Sequence, residues 1–162
     1  MAVHDVSPDH HPTLRHQDRL VIHEELQHIL VVLTDLALLG KQAHWNLTGP
    51  HFRALHLQLD EMVDAWRDAG DGVAERAVAL GFAADGRAGT IATTTPLTPL
   101  PAGQLRDRDV VAAFVRLLTD AIGAVRTRMD VVEERDPVTA DLLHGVVTTL
   151  EEQLWMIRVQ AA

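Results

Sequence analysis

The chain has 162 residues, 47% of them hydrophobic and 23% charged, which is the balance of one folded domain and not of a disordered polymer. It contains no cysteine. That excludes disulfide scaffolds, thiolate zinc sites, iron–sulfur clusters and cysteine nucleophiles, and it fits a reducing, cytoplasmic setting. With 14 basic against 23 acidic residues the net charge is −9, a body that repels phosphate backbones and attracts cations. No apolar run approaches the roughly 18 residues of a membrane span, and the first segment lacks the apolar core of a secretory leader, so neither is expected.

Residues 1–15 hold His4, His10, His11 and two prolines without periodicity, and read as a flexible tail ahead of a single domain over 16–162. A first helix is expected from about Asp18, with Leu26, Ile29, Leu30, Leu33 and Ala37 at three- and four-residue steps. It ends where NLTGP places Gly49 and Pro50. A second helix runs from about His51 to Leu80 on the stripe Leu55, Leu59, Met62, Trp66, Val73 and Ala77, with Gly81 as its left-handed cap. The stretch 82–106 is rich in glycine and proline. It reads as a long crossover with one short helical turn. A third helix opens with Asp107 as its expected N-cap and buries Val111, Phe114, Leu118, Val125, Met129 and Val132. Asp136-Pro137 starts a fourth, on Leu143, Val147, Leu150, Leu154 and Ile157. No strand-like alternation of useful length occurs. The fold class is therefore all-α, a four-helix bundle with one long crossover between helices 2 and 3.

The chemistry concentrates on the second helix. At about 100° per residue, with His56 at zero, Asp60 falls near 40°, Asp71 near 60° and Glu75 near 100°. Four metal-binding side chains thus share one stripe. Asp60 and Asp71 are nevertheless about 16 Å apart along the axis, whereas metal–ligand bonds span only about 2.0–2.5 Å. One chain cannot close both pairs on one ion. A two-fold axis near residues 65–66 resolves this by placing His56 and Asp60 of one copy beside Asp71 and Glu75 of another. Imidazole and carboxylate donors without thiolate suit iron or another mid-row divalent metal.

The string AHWNLTGPHFRALHLQLDEM, followed by DGVAERAVALG, TADLL and LEEQLWMI, closely resembles the Dps family, the mini-ferritins. The resemblance covers roughly residues 18–160. It implies a ferritin-like bundle assembled into a hollow dodecamer that oxidises Fe(II) between two-fold related subunits, preferentially with hydrogen peroxide, and stores ferric mineral, so protecting DNA. It also adds His44 to the iron ligands, with His44, His56 and Asp60 from one subunit and Asp71 and Glu75 from its partner.

Trp45 and Trp66 are read as core residues, with radical quenching a second role for Trp45 beside His44. Asp136 and Asp141 lie in the stretch resembling the family's acidic three-fold pores, where acids also suit a helix N-terminus without any pore. Gly70 and Gly72 flank Asp71 inside a helix, which costs about 1 kcal/mol each against alanine, and close approach of a second subunit is the expected reason. The alternative function is a nucleoid-condensing DNA coat, and a third is a non-catalytic metal-binding shell or adhesin. Up to Asp18 the tail carries one arginine and no lysine, so DNA binding is expected to be weak at neutral pH.

Overall fold

The computed structural model describes residues 13–161. The tail expected over 1–15 thus lies almost wholly outside the described residues. The elements are α1 (His16–Asn46), β1 (Leu47–Thr48), α2 (Phe52–Ala79), α3 (Ala88–Thr94), β2 (Leu105–Arg106), α4 (Asp107–Glu133) and α5 (Pro137–Arg158), closed by a 3-10 turn over Val159–Ala161. α1 packs on α2 and α4 on α5 as two hairpins, and α1–α4 and α2–α5 contacts join them into a four-helix bundle. Every apolar stripe residue expected on the four long helices is buried, except Leu154, which is partly buried against the core. No helix among the described residues is long and apolar enough to cross a membrane.

Two features set the relation between α1 and α2. Gly40 removes a side chain where the helices touch: a Cβ there would lie 2.5 Å from Val63 Cγ2 and 2.7 Å from Trp66 Cζ3. Below that contact Trp66 is buried and donates from Nε1 to Gln153 Oε1 at 2.7 Å, so the one polar atom of a large core ring is satisfied. At the far end of α2, Gly81 takes φ 94°, the expected left-handed cap.

The crossover is pinned at both ends. Near its start Gln27 donates to the Asp85 carbonyl and accepts from the Asp85 amide, at 2.8 and 2.9 Å, while His23 stacks on Phe82. At its end β2 pairs in parallel with β1, Leu47 opposite Leu105 and Thr48 opposite Arg106. Two-residue strands carry no periodicity, which is why the sequence did not announce them. Asp107 also departs from expectation. The cap position falls on Arg106, which makes no side-chain cap bond, and Asp107 is the first helical residue. Its carboxylate instead accepts from the His51 amide at 2.9 Å and from the Arg108 amide at 2.8 Å, clamping the α1–α2 turn to the start of α4. The His51 amide, more than any other group, holds the Asp107 carboxyl below the usual carboxylate range.

Candidate metal centre

His44 lies in the last turn of α1 and His56 one turn into α2, so the short connection brings them face to face. Their rings stack with centroids 3.6 Å apart. Each Nδ1 meets the other residue's backbone carbonyl, His44 to His56 O at 3.0 Å and His56 to His44 O at 3.1 Å. A carbonyl only accepts, so each Nδ1 carries the proton and each Nε2 keeps its lone pair. A hydrogen bond on one ring nitrogen that frees the other for a metal is the usual support of a histidine ligand.

Asp60, one turn after His56, completes the cluster. One donor atom from each of His44, His56 and Asp60 lies within 4.8 Å of the others, and no other group of three such residues occurs among the described residues. Asp60 Oδ1 is 3.4 Å from His44 Nδ1 and accepts from Lys41 Nζ at 2.6 Å. The Lys41 hydrogen bond, more than any other interaction, holds the Asp60 carboxyl below its usual range, aided by the ammonium charge. The sequence reading passed over Lys41, although it is the only lysine of the chain and stands three residues before His44.

Asp71 and Glu75 stand apart from this cluster. Both are exposed on α2 and make no hydrogen bond or ion pair among the described residues. Asp71 edges a groove lined by Leu30, Thr34, Leu38, Ala74 and Gly86. The chain thus assembles three of the five expected ligands and leaves two bare. Gly70 and Gly72 are not explained within the protomer: a Cβ would meet only ordinary contacts, 3.8 Å to Leu33 and 3.7 Å to Leu142.

Trp66 is in the core as expected, but Trp45 is not. It is 70% exposed, because the last turn of α1 turns only Ala43 and His44 inward and no element among the described residues covers its other side. Asp136 takes the helix N-terminal role, the other reading of its position. It is 5% exposed, caps α5 through the Thr139 amide and hydroxyl, and accepts from Arg76 at 2.6 Å. Asp141, one turn into α5, is exposed.

The comparisons with known proteins agree with this architecture. The ferritin family pattern, a ferritin-like domain, matches residues 23–162. The chain is 37% identical over 138 residues to the fine tangled pili major subunit of Haemophilus ducreyi, covering 85% of this chain and 73% of that protein. It is 36% identical over 135 residues to DNA protection during starvation protein 2 of Deinococcus radiodurans, covering 83% of this chain but only 56% of that longer protein. Among solved structures, DpsA14 from Streptomyces coelicolor superposes with a TM-score of 0.91 at 32% identity, over 96% of this chain and 94% of that one. A ferritin-like bundle whose stacked histidines and neighbouring aspartate sit at the α1–α2 turn, matched along most of its length by these relatives, belongs to the Dps family.

Proposed function

We propose that the protein oxidises Fe(II) at sites shared between two-fold related copies of a hollow homo-oligomer, a dodecamer, and stores the ferric product inside. Iron is the substrate and the cargo. The observation that carries the reading is the division of α2: His56 and Asp60 gather with His44 at one end, and Asp71 and Glu75 stand without partners among the described residues at the other. An isologous contact through this helix brings unlike ends together twice.

In this reading His44 and His56 offer neutral Nε2 lone pairs held in place by the reciprocal carbonyl bonds, and Asp60 offers charge. Asp71 and Glu75 of the second copy add two carboxylates, which favour the ferric state over the ferrous one. Hydrogen peroxide, the preferred oxidant, takes one electron from each of two Fe(II) ions. Its O–O bond breaks, and with two protons its oxygens leave as two waters. No hydroxyl radical is released, and DNA is protected without being touched. Trp45, an exposed indole beside His44, is suited to intercept any stray oxidising equivalent. Asp141 remains an acid for an entry pore. The protein works in the cytoplasm. The acidic body and lysine-free tail disfavour the nucleoid-coating alternative, so duplex DNA should bind weakly at pH 7.5 and roughly 150 mM salt.

Complementation tests the shared site. His56→Ala/Asp60→Ala and Asp71→Ala/Glu75→Ala variants should each be inactive in Fe(II) oxidation followed by absorbance. Mixed after dissociation and reassembled, they should recover part of the rate, since some interfaces then hold one intact ligand set. Mixed shells as inactive as either parent would overturn the shared site, and a wild type that never oxidises Fe(II) would replace this reading with a non-catalytic shell.

A further inference from the structure

Lys41 already places a cation at the metal centre. Its ammonium is 2.6 Å from Asp60 Oδ1, with the Lys41 side chain only 20% exposed. The same ammonium stands 5.9 Å from the centroid of the Trp45 ring, four residues on along the same face of α1. One ammonium thus lies between a carboxylate and an indole face.

We propose that Lys41 is a displaceable internal cation that occupies Asp60 until a divalent metal takes its place, and that Trp45 receives the ammonium when it leaves. The inference rests on the proposed reading of His44, His56 and Asp60 as ligands. A divalent ion within bonding distance of Asp60 and an ammonium bound to the same carboxylate repel one another at a few ångströms, where charges near a protein surface interact strongly. The pair with Asp60 must therefore loosen for the ion to bind well. Cations sit favourably over tryptophan faces, so the exposed Trp45 ring lowers the cost of that move. Lys41 makes no other ion pair among the described residues that would draw it elsewhere. Its function is a positioning one. It keeps the Asp60 carboxylate oriented and its charge balanced while the site is empty, and it sets a threshold of metal concentration below which the site stays empty.

Zn(II) binding followed by calorimetry tests this without any redox chemistry. Lys41→Gln should bind about tenfold more tightly than wild type, because the competing charge is gone, while Lys41→Arg should stay near wild type. In wild type, Zn(II) should also change the Trp45 fluorescence, read as the part of the signal absent from Trp45→Phe, and Lys41→Gln should abolish that change. A weaker site in Lys41→Gln would overturn the proposal, because the ammonium would then hold Oδ1 while the metal used Oδ2. Unchanged affinity would overturn it equally. A His56→Ala/Asp60→Ala variant separates the two readings: if it binds Zn(II) as wild type does, the ligand assignment itself fails, and if it loses binding while Lys41→Gln matches wild type, only the displacement fails.

Discussion

The two ends of α2 carry the same kinds of side chain and are treated oppositely by the fold. At the N-terminal end His56 and Asp60 are tied to α1 by reciprocal carbonyl bonds and by Lys41. At the C-terminal end only Arg76 is tied, to Asp136 and Thr139 of α5, and Asp71 and Glu75 face outward alone. If these side chains bind a metal as proposed, the tethered ones are oriented before it arrives and lose little entropy on binding it. Bare carboxylates stay hydrated and mobile until something else arrives to order them. On the proposed reading, a protomer built this way spends its own packing on one half of a site and leaves the other half to association.

Mutations at the two ends should separate these roles. The largest effect is expected at Gly40, which lets α1 approach Val63 and Trp66. Gly40→Ala should cost about 3 kcal/mol in chemical denaturation, since the added Cβ would overlap both the Val63 methyl and the buried Trp66 indole. A loss below about 1 kcal/mol would mean that the helices separate freely, and the tethered end would then be no more rigid than the bare one.

Asp136→Ala should cost about 2 kcal/mol, because it removes the α5 cap and leaves Arg76 without its ion-pair partner, with only the Thr139 hydroxyl to accept from it. Burial pushes the Asp136 carboxyl up, but the hydrogen bonds from Thr139 and Arg76 outweigh it and the net shift is downward. A carboxyl whose folded pKa lies below its unfolded value stabilises the fold above that unfolded value, near 3.9, and loses the contribution as pH falls through the folded one. The stability gap between wild type and Asp136→Asn should accordingly be flat above about pH 5 and shrink below about pH 4. A gap that widens toward acid would show that the Arg76 pair does not hold in solution.

His56→Ala should lose about 1 kcal/mol, for one hydrogen bond removed and one carbonyl stranded. Gly70→Ala and Gly72→Ala should each gain up to about 1 kcal/mol in the fold, as alanine does in any helix with room for it. If either instead impairs assembly by light scattering, the glycines serve a second copy and not the protomer. Smallest of all, Asp71→Ala and Glu75→Ala should change stability by less than about 0.5 kcal/mol while abolishing Fe(II) oxidation. Strong destabilisation there would show that the bare end is structural after all.

What was legible in the sequence was whatever repeats along one helix. The stripes through Leu55, Leu59 and Met62 or Phe114 and Leu118 mark buried faces because burial follows the 3.6-residue period. The ligand stripe on α2 was visible for the same reason. What escaped were pairings between elements, which no local period encodes. Lys41 against Asp60, Asp107 against the His51 amide and the two-residue β-bridge each join residues 19 to 58 positions apart. Trp45 misled because a large apolar ring suggests the core, yet adjacent residues on a helix point about 100° apart, and His44 beside it takes the inward position.

The doubly fastened crossover bears on how the chain survives being cut. The Gln27–Asp85 bonds hold its first residues to α1, and the parallel bridge holds its last residues to the α1–α2 turn. Between them Pro99, Pro101, Ala102 and Gly103 are exposed, with Gly103 at φ 91°. A protease nick there severs covalent continuity but neither fastening, and each fragment keeps a complete helical hairpin with its own apolar face. The two pieces should co-purify as one particle and part only in denaturant, and their recombination would then depend on concentration, the one respect in which the nicked bundle differs from the intact one.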